Sequence, residues 1–127
     1  MAKETEGTEL KSDIVTKGVM AVFHDPVKGQ YYVVEDNDCV VASLMITYEW
    51  SDWRNANVWW FQSVYVMPDY RRKGIFRMMF EYVKKAGVAD GIAGLRLYVE
   101  AENVRAQSTY EAMGMDGRHY KTYEWMK

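Results

Sequence analysis

A chain of 127 residues, 49% hydrophobic and 27% charged, is long enough to bury one core and reads as one domain spanning 1–127. Sixteen basic against eighteen acidic residues leave a net charge of −2, so nothing draws the whole molecule to nucleic acid or anionic membrane, and neither is an expected partner. The lone Cys39 excludes an intrachain disulfide framework, and no CxxC or Cys/His set suggests a metal, so none is expected.

In chain order, residues 1–8 are polar and read as loose. From Ser12, the expected N-cap, Val15, Val19, Val22 and Phe23 repeat at helical spacing until "HDPVKG", where Pro26 and Gly29 end the pattern. "YYVVE" reads as a strand, "DND" as a hairpin turn, and "CVVASLMITYEW" as a long second strand in which Cys39 is a buried, inert thiol. "SDWRNAN" connects it to a third strand, "VWWFQSVYV". After Gly74 the period changes: Ile75, Met78, Met79, Tyr82, Val83 and Ala86 line one face of an amphipathic helix. "LRLYVE" alternates as a strand. "NVRAQSTYEAMG" is a short helix capped by Asn103 and stopped by Gly114, and "RHYKTYEWMK" alternates again and is expected to close the sheet. The order α–β–β–β–α–β–α–β makes an α/β (α+β) fold, a mixed and mainly antiparallel sheet with one parallel pair across the helical crossover and flanking helices. No apolar run approaches the roughly 18 residues a membrane span needs. The start "MAKETEGTELKSD" has no apolar signal-peptide centre, so a reducing, cytoplasmic setting is expected.

The stretch "QSVYVMPDYRRKGIF" places Arg71, Arg72, Lys73 and Gly74 between a strand and a helix. The first N–H groups of that helix have no intrahelical partners, and its dipole adds partial positive charge there. Cations at this end oppose the dipole unless an anion neutralises both. Together with a glycine that allows close backbone approach, they describe a phosphate cradle. A solvated basic turn is the plainer alternative, and one glycine matches neither a Walker A nor a GxGxxG motif.

Two motifs together carry a resemblance. Arg71, Arg72, Lys73, Gly74, Ile75 and Phe76 match the pyrophosphate motif Q/R-x-x-G-x-G/A, with Phe76 in place of the second small residue. "NVRAQSTYEAMGM" matches N-x-x-A-x-x-x-Y-x-x-x-G-F/M through Asn103, Ala106, Tyr110, Gly114 and Met115. The sequence resembles the GNAT (GCN5-related N-acetyltransferase) family over about residues 12–127. The resemblance implies the acyl-CoA N-acyltransferase fold, in which "VWWFQSVYV" and "LRLYVE" splay apart around acetyl-CoA as cosubstrate. It further implies that the backbone of Val64, Tyr65 and Val66 pairs with the pantetheine arm, that Arg71–Phe76 hold the pyrophosphate, and that Asn103 contacts the pantetheine side. Tyr110 would protonate the leaving thiolate as general acid; a packed core tyrosine is the other reading. Family members usually begin with a strand and two helices, and this chain has room for one helix, so the first strand and first helix are expected to be missing. An uncovered sheet edge would favour a homodimer.

The implied reaction is attack of a small-molecule or peptide amine on the thioester, helped by backbone N–H groups near Val64. Glu49, Asp52, Glu100 and His119 are candidate bases. Glu49 and Asp52 are flanked by Tyr48, Trp50 and Trp53, an apolar wall expected to raise a carboxylate pKa, with a solvated loop acid as the plainer alternative; Glu49 is taken as the base. Trp50, Trp53, Trp59 and Trp60 either build an aromatic acceptor site for a cationic amine or pack in an interface. The alternative to an N-acetyltransferase is a CoA-binding module with impaired or no catalysis; a nucleic-acid-binding domain using "YRRKG" is the third reading, disfavoured by the acidic balance.

Overall fold

The computed structural model describes residues 11–127. Helix α1 spans Ser12–His24, strand β1 Gln30–Asp36, β2 Cys39–Ser51 and β3 Ala56–Val66. A 3-10 turn at Pro68–Tyr70 leads to helix α2, Ile75–Ala89, followed by β4, Gly94–Leu97, and helix α3, Val104–Ala112. Lys11 rather than Ser12 occupies the cap position of α1, and Ser12 is its first helical residue. The expectations about loose residues 1–8 and missing leading elements lie outside the described residues.

The sheet runs β1–β2–β3–β4. The first two pairings are antiparallel and β3–β4 is parallel, because α2 carries the chain back across the sheet between them. Among the described residues no helix is long and apolar enough to cross a membrane.

Strand alternation places the core. Ala42, Leu44 and Ile46 of β2 share a face with Trp59 and Phe61 of β3 and pack against Met79, Phe80 and Val83 of α2. Leu44, Ile46 and Val83 are fully buried. On the opposite face Phe23 of α1 stacks on Tyr31 of β1, with ring centroids 5.4 Å apart.

Two expectations are corrected. Cys39 is exposed: it opens β2 directly after the Asn37–Asp38 turn. Residues 118–127 carry a strand-like pattern but enter no ladder, so the sheet of the described residues ends at β4.

Candidate active site

Strands β3 and β4 pair over only four rungs, from Val58↔Gly94 to Phe61↔Leu97. Beyond Phe61, β3 continues to Val66 against β2 alone, and no described strand joins its other side. A bulge marks the parting. Between Ser43↔Tyr65 and Met45↔Gln62, Leu44 of β2 opposes Ser63 and Val64 of β3, and Ser63 takes φ +51°. A bulge bends and twists its strand and frees backbone groups from the ladder. Val64, Tyr65 and Val66 therefore lie on the open side of a splayed parallel pair.

The cationic turn stands at this same edge. Arg72 adopts φ +60° and Gly74, the N-cap of α2, φ +78°. The first ladder bond there runs from the Met78 N–H to the Gly74 carbonyl at 3.0 Å, so the amides of Ile75, Phe76 and Arg77 precede the ladder. A Cβ built on Gly74 would meet no atom within 4 Å, so the space before this helix start is open. Arg71 turns back: its Nε donates to the Val66 carbonyl at 2.8 Å and its guanidinium lies over the Tyr65 ring. Lys73 sits 5.7 Å from the Tyr70 ring centroid.

Phe76 explains its departure from the motif. Its ring meets Phe61 of β3 at 6.1 Å and Phe80 at 6.3 Å. The side chain is thus spent on the core while the backbone amide stays at the helix start. Phe76 also meets the Tyr110 ring at 5.7 Å, and these contacts link the splayed strand to α3. Burial pushes the Tyr110 phenol pKa above 10.0, so the hydroxyl holds its proton at neutral pH. Asn103 caps α3, its Oδ1 accepting from the Ala106 N–H at 3.2 Å.

The tryptophan wall divides. Trp59 is buried on the α2 face, in edge contact with Tyr48 at 6.0 Å. With Trp50, Gln30, Asn57 and Asp90 these two line an open groove of about 660 Å³ at the far end of the sheet from Gly74. Trp53 is 89% exposed in the β2–β3 turn, where Asp52 Oδ1 accepts its N–H. Trp60 faces the other way. Its Nε1 donates to Glu49 Oε1 at 2.8 Å, and Arg96 Nη1 donates to the same oxygen at 2.9 Å. Tyr98 packs on Trp60 with centroids 4.5 Å apart.

This overturns the electrostatics expected of Glu49. The Trp60 bond first, and then Arg96, hold its pKa below 4.5 rather than raising it. Tyr48 and Trp50 of the wall that was to desolvate Glu49 are adjacent residues, whose side chains leave the strand on the opposite face, and Trp53 stands exposed in the turn. Sequence reasoning missed Arg96. The alternation of "LRLYVE" marks it as the polar residue of a strand, but its partner is 47 positions away. Glu100 lies beyond β4, and His119 is exposed and paired with Asp116 at 3.3 Å.

Residues 4–115 match the model of the Acetyltransferase (GNAT) family. The chain belongs to this family. It resembles a possible acetyltransferase from Clostridium difficile 630, with 53% identity, a TM-score of 0.87, and coverage of 99% of this chain and 84% of that one. Over 76 residues, 60% of the chain, it is 33% identical to the Bos taurus thialysine N-epsilon-acetyltransferase, and the match spans only 44% of that relative. The aminoglycoside acetyltransferase AAC(6')-Iy, solved with a CoA bisubstrate analogue, shares the fold at 12% identity and a TM-score of 0.77, over 92% of this chain and 81% of that one. The mixed sheet with its parting β3–β4 pair is the fold of this GNAT acetyltransferase family.

Proposed function

We propose that the protein is an acetyl-CoA-dependent N-acetyltransferase that acetylates a cationic primary amine of a small molecule or peptide. The observation that carries this reading is the parting of β3 and β4 beyond Phe61 and Leu97, at the edge where Gly74 opens α2. The residues there fit a CoA thioester, which when bound supplies the activated acetyl group. Val64 and Tyr65 offer the side of β3 that faces away from β2 for its arm, and the Ile75 and Phe76 amides with Arg72 and Lys73 suit its pyrophosphate. Arg71 supports the turn through the Val66 carbonyl and adds positive charge. Asn103 sets the start of α3 and with it the position of Tyr110.

The amine nitrogen, once deprotonated, bonds to the thioester carbonyl carbon, and the carbon–sulfur bond breaks. Backbone N–H groups at the Ser63 bulge near Val64 face the charge that develops on the carbonyl oxygen. Tyr110, protonated at neutral pH, gives its hydroxyl proton to the departing thiolate. Glu49 is the base, directly or through one water. Both of its bonds fall on Oε1, and among the described residues Oε2 accepts none. A fixed carboxylate beside the Trp60 and Tyr98 rings suits an ammonium group through charge and cation–π attraction before it takes the proton. The favoured class is therefore an amine of the alkylammonium kind. The lone Cys39 supports a reducing cytoplasmic setting. Among the described residues the outer sides of β1 and β4 pair with no further strand, which supports a homodimer.

The test is a thermal melt against acetyl-CoA and free CoA, followed by thiol release with a panel of alkylamines. A midpoint that rises with ligand, and much less in an Arg71→Ala, Lys73→Ala double variant, supports the cradle. Thiol release that depends on amine supports transfer. A midpoint unmoved near millimolar ligand refutes the reading, and stabilisation without thiol release with any amine leaves a CoA-binding module.

A further inference from the structure

Arg96 is more than Glu49 needs. The carboxylate is already fixed by the Trp60 indole, which donates to Oε1 at 2.8 Å, and Arg96 brings a full positive charge to the same oxygen at 2.9 Å. Arg54, in the β2–β3 turn, adds a second cation to the field at Glu49. Two cations facing one carboxylate oppose a simple ammonium, because like charges meet as the amine reaches Glu49. The conflict disappears if the acceptor carries an anion of its own.

Arg96 has room for that anion. Among the described residues it spends one N–H, and its Nε and Nη2 donate to none. Those two nitrogens form one edge of the planar guanidinium, a two-donor fork that matches a carboxylate. The Arg96 side chain is 28% exposed, and the Tyr120 ring covers one face of it at 5.7 Å. Because Glu49 and Arg96 touch, an ammonium on the one and a carboxylate on the other stand as close as two groups on a single carbon. A plain alkylamine has no anion there, and a peptide N-terminus carries an amide instead.

We propose that Arg96 reads the carboxylate of the acceptor, and that the acceptor is a free α-amino acid with its ammonium on Glu49. This rests on the acetyl-transfer reading and narrows its substrate. The Trp60 and Tyr98 rings, 4.5 Å apart beside the pair, suit an apolar or aromatic side chain. Position agrees: Arg96 is in register with Trp60, one residue short of the rung beyond which β3 and β4 part. The α-nitrogen bonds to the acetyl carbon as the carbon–sulfur bond breaks, giving an N-acetyl amino acid and CoA. Of the two protons the ammonium loses, one leaves through Glu49 and the other restores the Tyr110 hydroxyl after it protonates the thiolate. A carboxylate on Arg96 also offsets its charge. The Trp60 bond still holds the Glu49 carboxyl low, but the Arg96 share of that pull weakens, which makes Glu49 a better base once substrate is bound.

Calorimetry comes first, with the proteinogenic amino acids titrated singly into the protein, alone and with free CoA. Binding of at least one apolar or aromatic member is expected, and no heat from any amino acid up to about 10 mM overturns the inference whether or not CoA binds. The best binder, its carboxamide and its decarboxylated amine are then compared as ligands and, by thiol release from acetyl-CoA, as acceptors. The acid should lead both others by about 30-fold in Kd and kcat/KM. Equal or better values for the amide or the amine overturn the inference, while thiol release with them leaves acetyl transfer standing. Binding of the acid without thiol release from any acceptor supports the site and refutes transfer. Arg96→Met should erase the preference for the acid, and Arg96→Lys should keep part of it. A residue that only steadied Glu49 would weaken all three compounds alike, so a preference unchanged in Arg96→Met overturns the assignment.

Discussion

Glu49 and Trp60 are diagonal neighbours across the β2–β3 ladder, and the indole donates to the carboxylate at 2.8 Å. Arg96, opposite Trp60 on β4, adds a second donor to the same oxygen. Three strands therefore fix one carboxylate on the face away from α2. Because both donors favour the charged form, the Glu49 pKa is depressed. The stabilisation they bring is complete above the unfolded pKa and disappears as pH falls through the folded value. Wild type should lose thermal midpoint more steeply than Glu49→Gln below about pH 4.5, the ordinary value for this carboxyl. In acetylation assays Glu49→Gln should lower kcat/KM for alkylamines by about 10²-fold. Equal rates for the two proteins would remove Glu49 from the mechanism.

Tyr110→Phe separates chemistry from binding. The variant keeps the ring against Phe76 and loses only the hydroxyl. The expected result is a fall in kcat of about 10²-fold or more with the acetyl-CoA-induced rise in melting temperature unchanged. Since burial raises the phenol pKa, any alkaline fall this group gives the wild-type rate should come at higher pH than for a free tyrosine, and none near neutrality. An unchanged kcat in the variant would leave Tyr110 as a packing residue.

At Gly74 the backbone itself demands glycine. With φ at +78°, Gly74→Ala should cost about 1–2 kcal/mol in urea unfolding, although a Cβ would meet no atom. The strain falls on the turn that presents the α2 amides, so the acetyl-CoA-induced melting shift should shrink as well. Full stability in the alanine variant would mean that the turn relaxes without loss.

Phe76 tests the aromatic chain. Phe76→Ala removes ring contacts with Phe61, Phe80 and Tyr110 together and should destabilise the protein by about 3 kcal/mol. A loss under about 1 kcal/mol would mean that the cluster carries little of the core's stability.

Short-range regularities account for what could be read without coordinates. Apolar runs bounded by turn residues marked β1 to β3, alternation marked β4, a 3.6 period marked α2, and Asn103 and Gly114 bounded α3, because side-chain direction and capping are local. The Arg71–Phe76 turn and the Tyr110 signature were legible in the same way, as fixed spacings along one stretch. Pairings distant in sequence had to come from the fold. Adjacent residues such as Trp59 and Trp60 look like one aromatic patch in a sequence, yet a strand sends them to opposite faces. Which face receives a cation, and whether Glu49 is raised or lowered, depends on Arg96 arriving from 47 positions away. Cys39 reads as core by composition and is exposed at the first position of β2, next to the Asn37–Asp38 turn. The alternation of residues 118–127 is a strand's pattern without a strand's ladder. Alternation states only that two faces differ, and a ladder also needs a partner edge, which only the tertiary arrangement supplies or withholds.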